Sequence, residues 1–116
     1  MDKPQVLVLL ASLIEKTQQN KCHWEEGGNE YKLYLKSGVV SFKYDYLYDS
    51  SVDQYSFVLS LYNASERFAS YYVDFEENYD KDLYSSMYSL RTAIKEWEER
   101  VINGKMGLLI DEINQF

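Results

Sequence analysis

Val6, Leu9, Leu10, Leu13 and Ile14 recur at steps of three and four residues, and Thr17 extends the same face. That spacing predicts an amphipathic helix, because residues three or four apart share one side of a 3.6-residue turn. Pro4 suits a first helical turn, Asp2 can cap it, and Asn20 or Lys21 ends it. Leu7 and Val8 widen the apolar stripe, so the helix is expected to be buried on more than one side.

After Cys22, His23 and Trp24, which start an extended segment, the period changes from 3.6 to 2. Residues 25–29 (Glu-Glu-Gly-Gly-Asn) have turn chemistry. Tyr31, Leu33 and Leu35 then alternate with Lys32, Tyr34 and Lys36. Val40, Phe42, Tyr44 and Tyr46 alternate with Ser41, Lys43 and Asp45, and Ser37-Gly38 lies between the two runs. Two alternating runs around a short glycine turn predict a β-hairpin. Tyr55, Phe57, Leu59 and Leu61 repeat the pattern, and residues 67–73 run back after the turn at residues 63–66.

From Leu83 the helical period returns. Leu83, Met87, Leu90, Ile94, Trp97 and Val101 form one seam, with Asn78 or Asp80 as its cap. Asn103-Gly104 reads as a helix stop, and Met106, Leu109, Ile110 and Ile113 as a short last helix that folds back. The expected fold is a single α+β domain over residues 1–116. It has an N-terminal helix, a four-stranded antiparallel meander, a long helix and a short final helix, the last two packed on one sheet face. No strand–helix–strand crossover is visible, which argues against a parallel sheet.

Two stretches carry a resemblance. The first is Leu13-Ile14-Glu15-Lys16-Thr17, then Trp24, then the hairpin over residues 31–46. The second is Phe57-Val58-Leu59-Ser60-Leu61-Tyr62, a turn, then Leu83-Tyr84 running to Ala93. Together they resemble small bacterial and phage-associated α+β proteins with no assigned activity. The resemblance implies this fold and an interaction or inhibitor role, and it supplies no catalytic residue.

With 116 residues, the chain has room for one core and no separate cofactor domain. The net charge of −7 disfavours a basic groove for nucleic acid. One cysteine and one histidine exclude a disulfide framework and leave too few ligands for structural zinc. No metal or cofactor is expected. The apolar run over residues 6–14 is far shorter than the roughly 20 residues of a membrane span, so a cytoplasmic protein with no membrane partner is expected.

Cys22 and His23 suggest a nucleophile and base, but neighbours on an extended strand point to opposite faces. The acidic pairs Glu25/Glu26, Glu76/Glu77 and Glu98/Glu99 follow from overall acidity, and sequence adjacency does not set two carboxyls across a cleft. No catalytic residue is therefore assigned.

The uneven distribution of charge is more informative. Residues 1–44 carry a net +1 and residues 83–116 a net −1, whereas residues 45–82 carry −7 and seven of the twelve tyrosines. Tyrosine is enriched at protein interfaces, and carboxylates around it steer a basic partner. The expected function is non-enzymatic protein binding of the immunity, antitoxin-like or anti-defence inhibitor kind. Its contact residues would be Asp45, Tyr46, Tyr48, Asp49, Asp53, Asp74, Glu76, Glu77, Asp80 and Asp82, facing a basic protein surface. The other readings are a nucleic-acid mimic that occupies a DNA-binding protein, a small enzyme, and a homo-oligomer paired through the seam over residues 83–101. Acidity serving solubility alone is the plain alternative.

Overall fold

The computed structural model describes residues 3–47, 54–64 and 66–116. Helix α1 (Lys3–Gln18) is followed by strands β1 (Glu25–Gly27), β2 (Glu30–Leu35), β3 (Gly38–Leu47), β4 (Gln54–Asn63) and β5 (Glu66–Val73), then helix α2 (Lys81–Ile113). The strands form one antiparallel sheet in the order β1-β2-β3-β4-β5. The expected α+β meander is present, with five strands rather than four.

The extra strand is β1, which pairs Glu25 with Lys32, Glu26 with Tyr31 and Gly27 with Glu30. It was read as turn because all three of its residues are exposed and none is apolar, so no alternation marks it. The turn itself is shorter: Gly28 adopts φ 68° and links β1 to β2 with Asn29. Residues 21–24 are irregular rather than extended.

Alternation works as expected in the other strands. Tyr31 and Leu33 of β2, Val40 and Phe42 of β3, and Tyr55, Phe57, Leu59 and Leu61 of β4 are all buried. The register sets them in rows across the sheet: Tyr31 opposite Phe42, Phe42 opposite Leu59, Leu59 opposite Tyr71. Both helices cover this one face. The other face carries Lys32, Ser41, Ser60 and Ser70 in a row, with Lys43, Val58 and Tyr72 in the next.

Helix α1 buries Val6, Leu10, Leu13 and Thr17 along one stripe. Val8 is 66% exposed, so the helix is not buried on a second side. It ends in a left-handed Asn20, with Lys21 N donating to Lys16 O and Asn20 N donating to Thr17 O. This is a Schellman closure with asparagine in the place glycine often takes. Thr17 Oγ1 donates to Leu13 O and accepts from Trp24 Nε1, which anchors the buried indole.

Helix α2 starts on Asp80, whose carboxylate accepts from the amides of Asp82 and Leu83. It buries Tyr84, Met87, Leu90, Ala93 and Ile94 against α1 and the sheet. The seam that suggested pairing with a second copy is thus already covered. The helix does not stop at Asn103-Gly104 and no short final helix folds back. It runs unbroken for 33 residues, about 50 Å at 1.5 Å per residue. A glycine stop needs a left-handed residue, and Gly104 does not have positive φ. Glycine inside a helix costs only about 1 kcal/mol relative to alanine, which the flanking turns absorb.

The two helices run parallel, not as a hairpin. Lys3 at the start of α1 pairs with Asp80 at 3.0 Å and Asp82 at 3.4 Å, at the start of α2. At the other end, Arg100 donates to Thr17 O at 3.2 Å and to Asn20 Oδ1 at 2.8 Å. A cation at the carbonyl end of α1 and carboxylates at the paired N-termini both suit the helix dipoles. From Ile102 onward α2 extends past the end of α1. Among the described residues, no helix is long and apolar enough to cross a membrane.

Candidate functional site

The acidic region folds into a corner where β5 leads into α2. Asp74 organises it. Its carboxylate accepts from the amides of Glu76 at 3.0 Å and Asn78 at 2.9 Å, and from the Tyr72 hydroxyl at 3.1 Å. The Asp74 amide donates back to Asn78 O. These donors, the Asn78 amide foremost, hold the Asp74 carboxyl below the usual carboxylate range. A closed Asx turn of this kind fixes the backbone of residues 74–78.

That rigid turn displays aromatic surface. Phe75 is 42% exposed and Tyr79 47%, with ring centroids 5.0 Å apart and edge to face. Both rings also rest on Tyr84 at the root of α2. Glu76 and Glu77 lie between them in sequence, with exposed side chains. Tyr72 is 51% exposed on the open sheet face, beside Ser56 and Asp45. Asp45 accepts from the side-chain amide of Asn29.

The structure therefore divides the expected contact residues. Asp45, Asp74, Glu76 and Glu77 gather at this end of the sheet. Asp80 and Asp82 are turned to another task, capping α2 and binding Lys3; Lys3, with the amide of Leu83, holds the Asp80 carboxyl low. Tyr46 lies on the helix side, its ring 5.3 Å from Tyr55, and belongs to a different cluster. Tyr48, Asp49 and Asp53 lie outside the described residues. Sequence reasoning did not single out Phe75, Tyr72 or Tyr79 as contact residues. The signal was there: aromatic residues interleaved with carboxylates over residues 72–79.

A second cluster lies under α2. As the helix crosses the sheet it passes Tyr55 of β4, Tyr44 of β3 and Tyr31 of β2. Arg91 stacks over Tyr55, its guanidinium carbon 4.4 Å from the ring centre, with Tyr44 at 5.3 Å and Tyr88 at 5.9 Å. Its buried Nε has no hydrogen-bond partner, so the rings are its main company. One turn on, Lys95 lies over Tyr31 and Tyr44 and 3.6 Å from Glu98. The Tyr31 hydroxyl donates to Glu98 at 2.7 Å. Burial first, and this carboxylate next, push the Tyr31 hydroxyl above its ordinary range. Hydrogen bonding to Tyr44 raises the Lys95 ammonium. These contacts tie α2 to the sheet and are structural rather than ligand-directed.

Cys22 is buried in the core and His23 is exposed, so their side chains go to different environments. Among the described residues, no group of three His, Cys, Asp or Glu side chains could hold a metal ion. At the far end of the sheet, Leu9, Leu35, Val40, Leu61 and Phe68 line an open apolar depression. Compared with protein-family models, curated proteins and solved structures, the chain matches none.

Proposed function

We propose that the protein is a non-enzymatic binding module whose acidic, aromatic corner docks on a basic protein surface. One observation carries this reading. Phe75 and Tyr79 are large, exposed and held on a closed turn, with the side chains of Glu76 and Glu77 free to face a partner. Pre-ordered aromatics lose little entropy on binding, and carboxylates beside them speed encounter with a cation-rich surface. An inhibitor or immunity-type role fits a small acidic module of this shape. A nucleic-acid mimic draws less support, because it needs rows of unpaired carboxylates and two of the candidates, Asp80 and Asp82, bind Lys3.

The test compares the native protein with the variant Glu76→Lys/Glu77→Lys and with Phe75→Ala/Tyr79→Ala, each tagged and used to capture proteins from lysate under a salt gradient. A basic protein held by the native form is purified and its affinity measured against all three. Loss of at least about tenfold with both variants supports the corner. Equal affinity for all three would remove it, leaving the acidity as a solubility feature. Competition by duplex DNA for that partner would favour the mimic.

A further inference from the structure

The overhanging part of α2 carries its own apolar seam. Ile102, Met106, Leu109, Ile113 and Phe116 follow steps of four, three, four and three residues, with Ile110 beside them. They are 50%, 53%, 59%, 59% and 100% exposed, and Ile110 is 55%. At 100° per residue this seam is turned by about 110° from the buried one formed by Met87, Leu90, Ile94, Trp97 and Val101. It points away from α1 and has no cover within the described chain.

We propose that this segment pairs antiparallel with the same segment of a second copy. The steps are those of a coiled-coil seam, with Met106 and Ile113 at one core position and Ile102, Leu109 and Phe116 at the other. Antiparallel pairing sets Met106 against Leu109 of the partner subunit, and Ile102 against Ile113 of the partner subunit. It then places Lys105 beside Glu112 of the partner subunit, twice across the two-fold axis. A parallel pair would instead align Lys105 with an apolar Ile110 of the partner subunit. Charge thus selects the orientation.

Area supports the same occupant. With about 200 Å² for a fully exposed large apolar side chain, the six residues offer roughly 750 Å² per copy, near the roughly 800 Å² per partner of a standard interface. A lipid surface suits the segment less well. Lys105 is its one cation, and Asp111 and Glu112 are acidic, whereas interfacial helices carry a basic polar face. This interface is independent of the acidic corner.

Sedimentation equilibrium over a range of concentrations tests the pairing. A dimer is expected for the native chain, with its dissociation constant raised at least about a hundredfold by Leu109→Lys. That position is exposed, and circular dichroism will verify that the variant folds. Lys105→Glu alone should weaken the dimer, and adding Glu112→Lys should restore it. Orientation is read by oxidising a mixture of Ile102→Cys and Ile113→Cys chains, which should cross-link to each other and not to themselves. A native monomer at every concentration overturns the proposal, even if the chain sediments with anionic vesicles. So does a dimer indifferent to Leu109→Lys, or self-linking of either cysteine variant.

Discussion

The indole nitrogen of Trp24 donates to the hydroxyl of Thr17 across 3.0 Å, both side chains being buried. The same hydroxyl donates to Leu13 O, so a single oxygen closes the end of α1 and seats the residue that leads into the sheet. Thr17→Val preserves the shape and orphans the indole N–H. It should destabilise the fold by about 1–3 kcal/mol, the cost of an unmet buried donor. Thr17→Ser, which keeps the hydroxyl, should lose less. Urea unfolding of the three proteins checks this, and a valine variant as stable as the native protein would refute it.

Arg91 is held by rings rather than by acceptors. Arg91→Met keeps an unbranched stem against Tyr55 and Tyr88 and removes the charge. With the guanidinium mostly desolvated, the loss should be about 1–2 kcal/mol. A methionine variant of equal or greater stability would mean that the orphaned Nε offsets the stacking. Thermal and urea unfolding decide between them.

Two turn positions should respond in opposite directions. A Cβ on Gly38 would lie 2.0 Å from the Tyr62 carbonyl oxygen on the neighbouring strand. Gly38→Ala should therefore push β3 and β4 apart and cost about 1–3 kcal/mol. Ala64 adopts φ 48° at the β4–β5 turn, where glycine is relaxed. Ala64→Gly should be neutral or stabilising by up to about 1 kcal/mol. Denaturant midpoints of the two variants should fall on opposite sides of the native value, or within error of it for Ala64→Gly.

Acid should loosen the corner before the core. Asp74 and Asp80 have lowered carboxyl pKa values in the folded protein, Asp74 chiefly through the Asn78 amide and Asp80 chiefly through Lys3. A group lowered on folding adds stability above its unfolded value, about 3.9 for aspartate, and gives it up as pH falls through the folded value. Unfolding midpoints should be flat near neutrality and drop below about pH 4. Asp80→Asn keeps a capping side chain and removes both the charge and the titration. It should be less stable at neutral pH and show a shallower acid decline. An unchanged acid profile would assign the decline to other carboxylates.

Much of the fold is legible in the chain because burial on one face imposes a period. Tyr31, Leu33, Val40, Phe42, Phe57 and Leu59 alternate and are buried together. Met87, Leu90 and Ile94 repeat at helical spacing and meet α1. Where burial is absent, the period carries no information, and β1 was hidden for that reason. Asn103-Gly104 misled because the same dipeptide suits a stop or a tolerated helical turn, and only the backbone angle distinguishes them. The acidic residues were legible as a group but not by role. Asp74 and Asp80 differ from Glu76 and Glu77 only in which amides lie within reach, a matter of turn geometry. The stacking of Arg91 on Tyr55 joins residues whose proximity depends on where α2 crosses β4.

The parallel course of α1 and α2 bears on how the chain finds its fold. Thr17 and Arg100, whose contact locks the far ends of the helices, are 83 residues apart. Helices joined by a short loop can zip together locally, but these two meet only after the intervening meander has shortened the path between them. The hairpins should therefore form early, and docking of the helix pair should close the transition. Substitutions at Lys3 or Arg100 should then speed unfolding while leaving the refolding rate nearly unchanged.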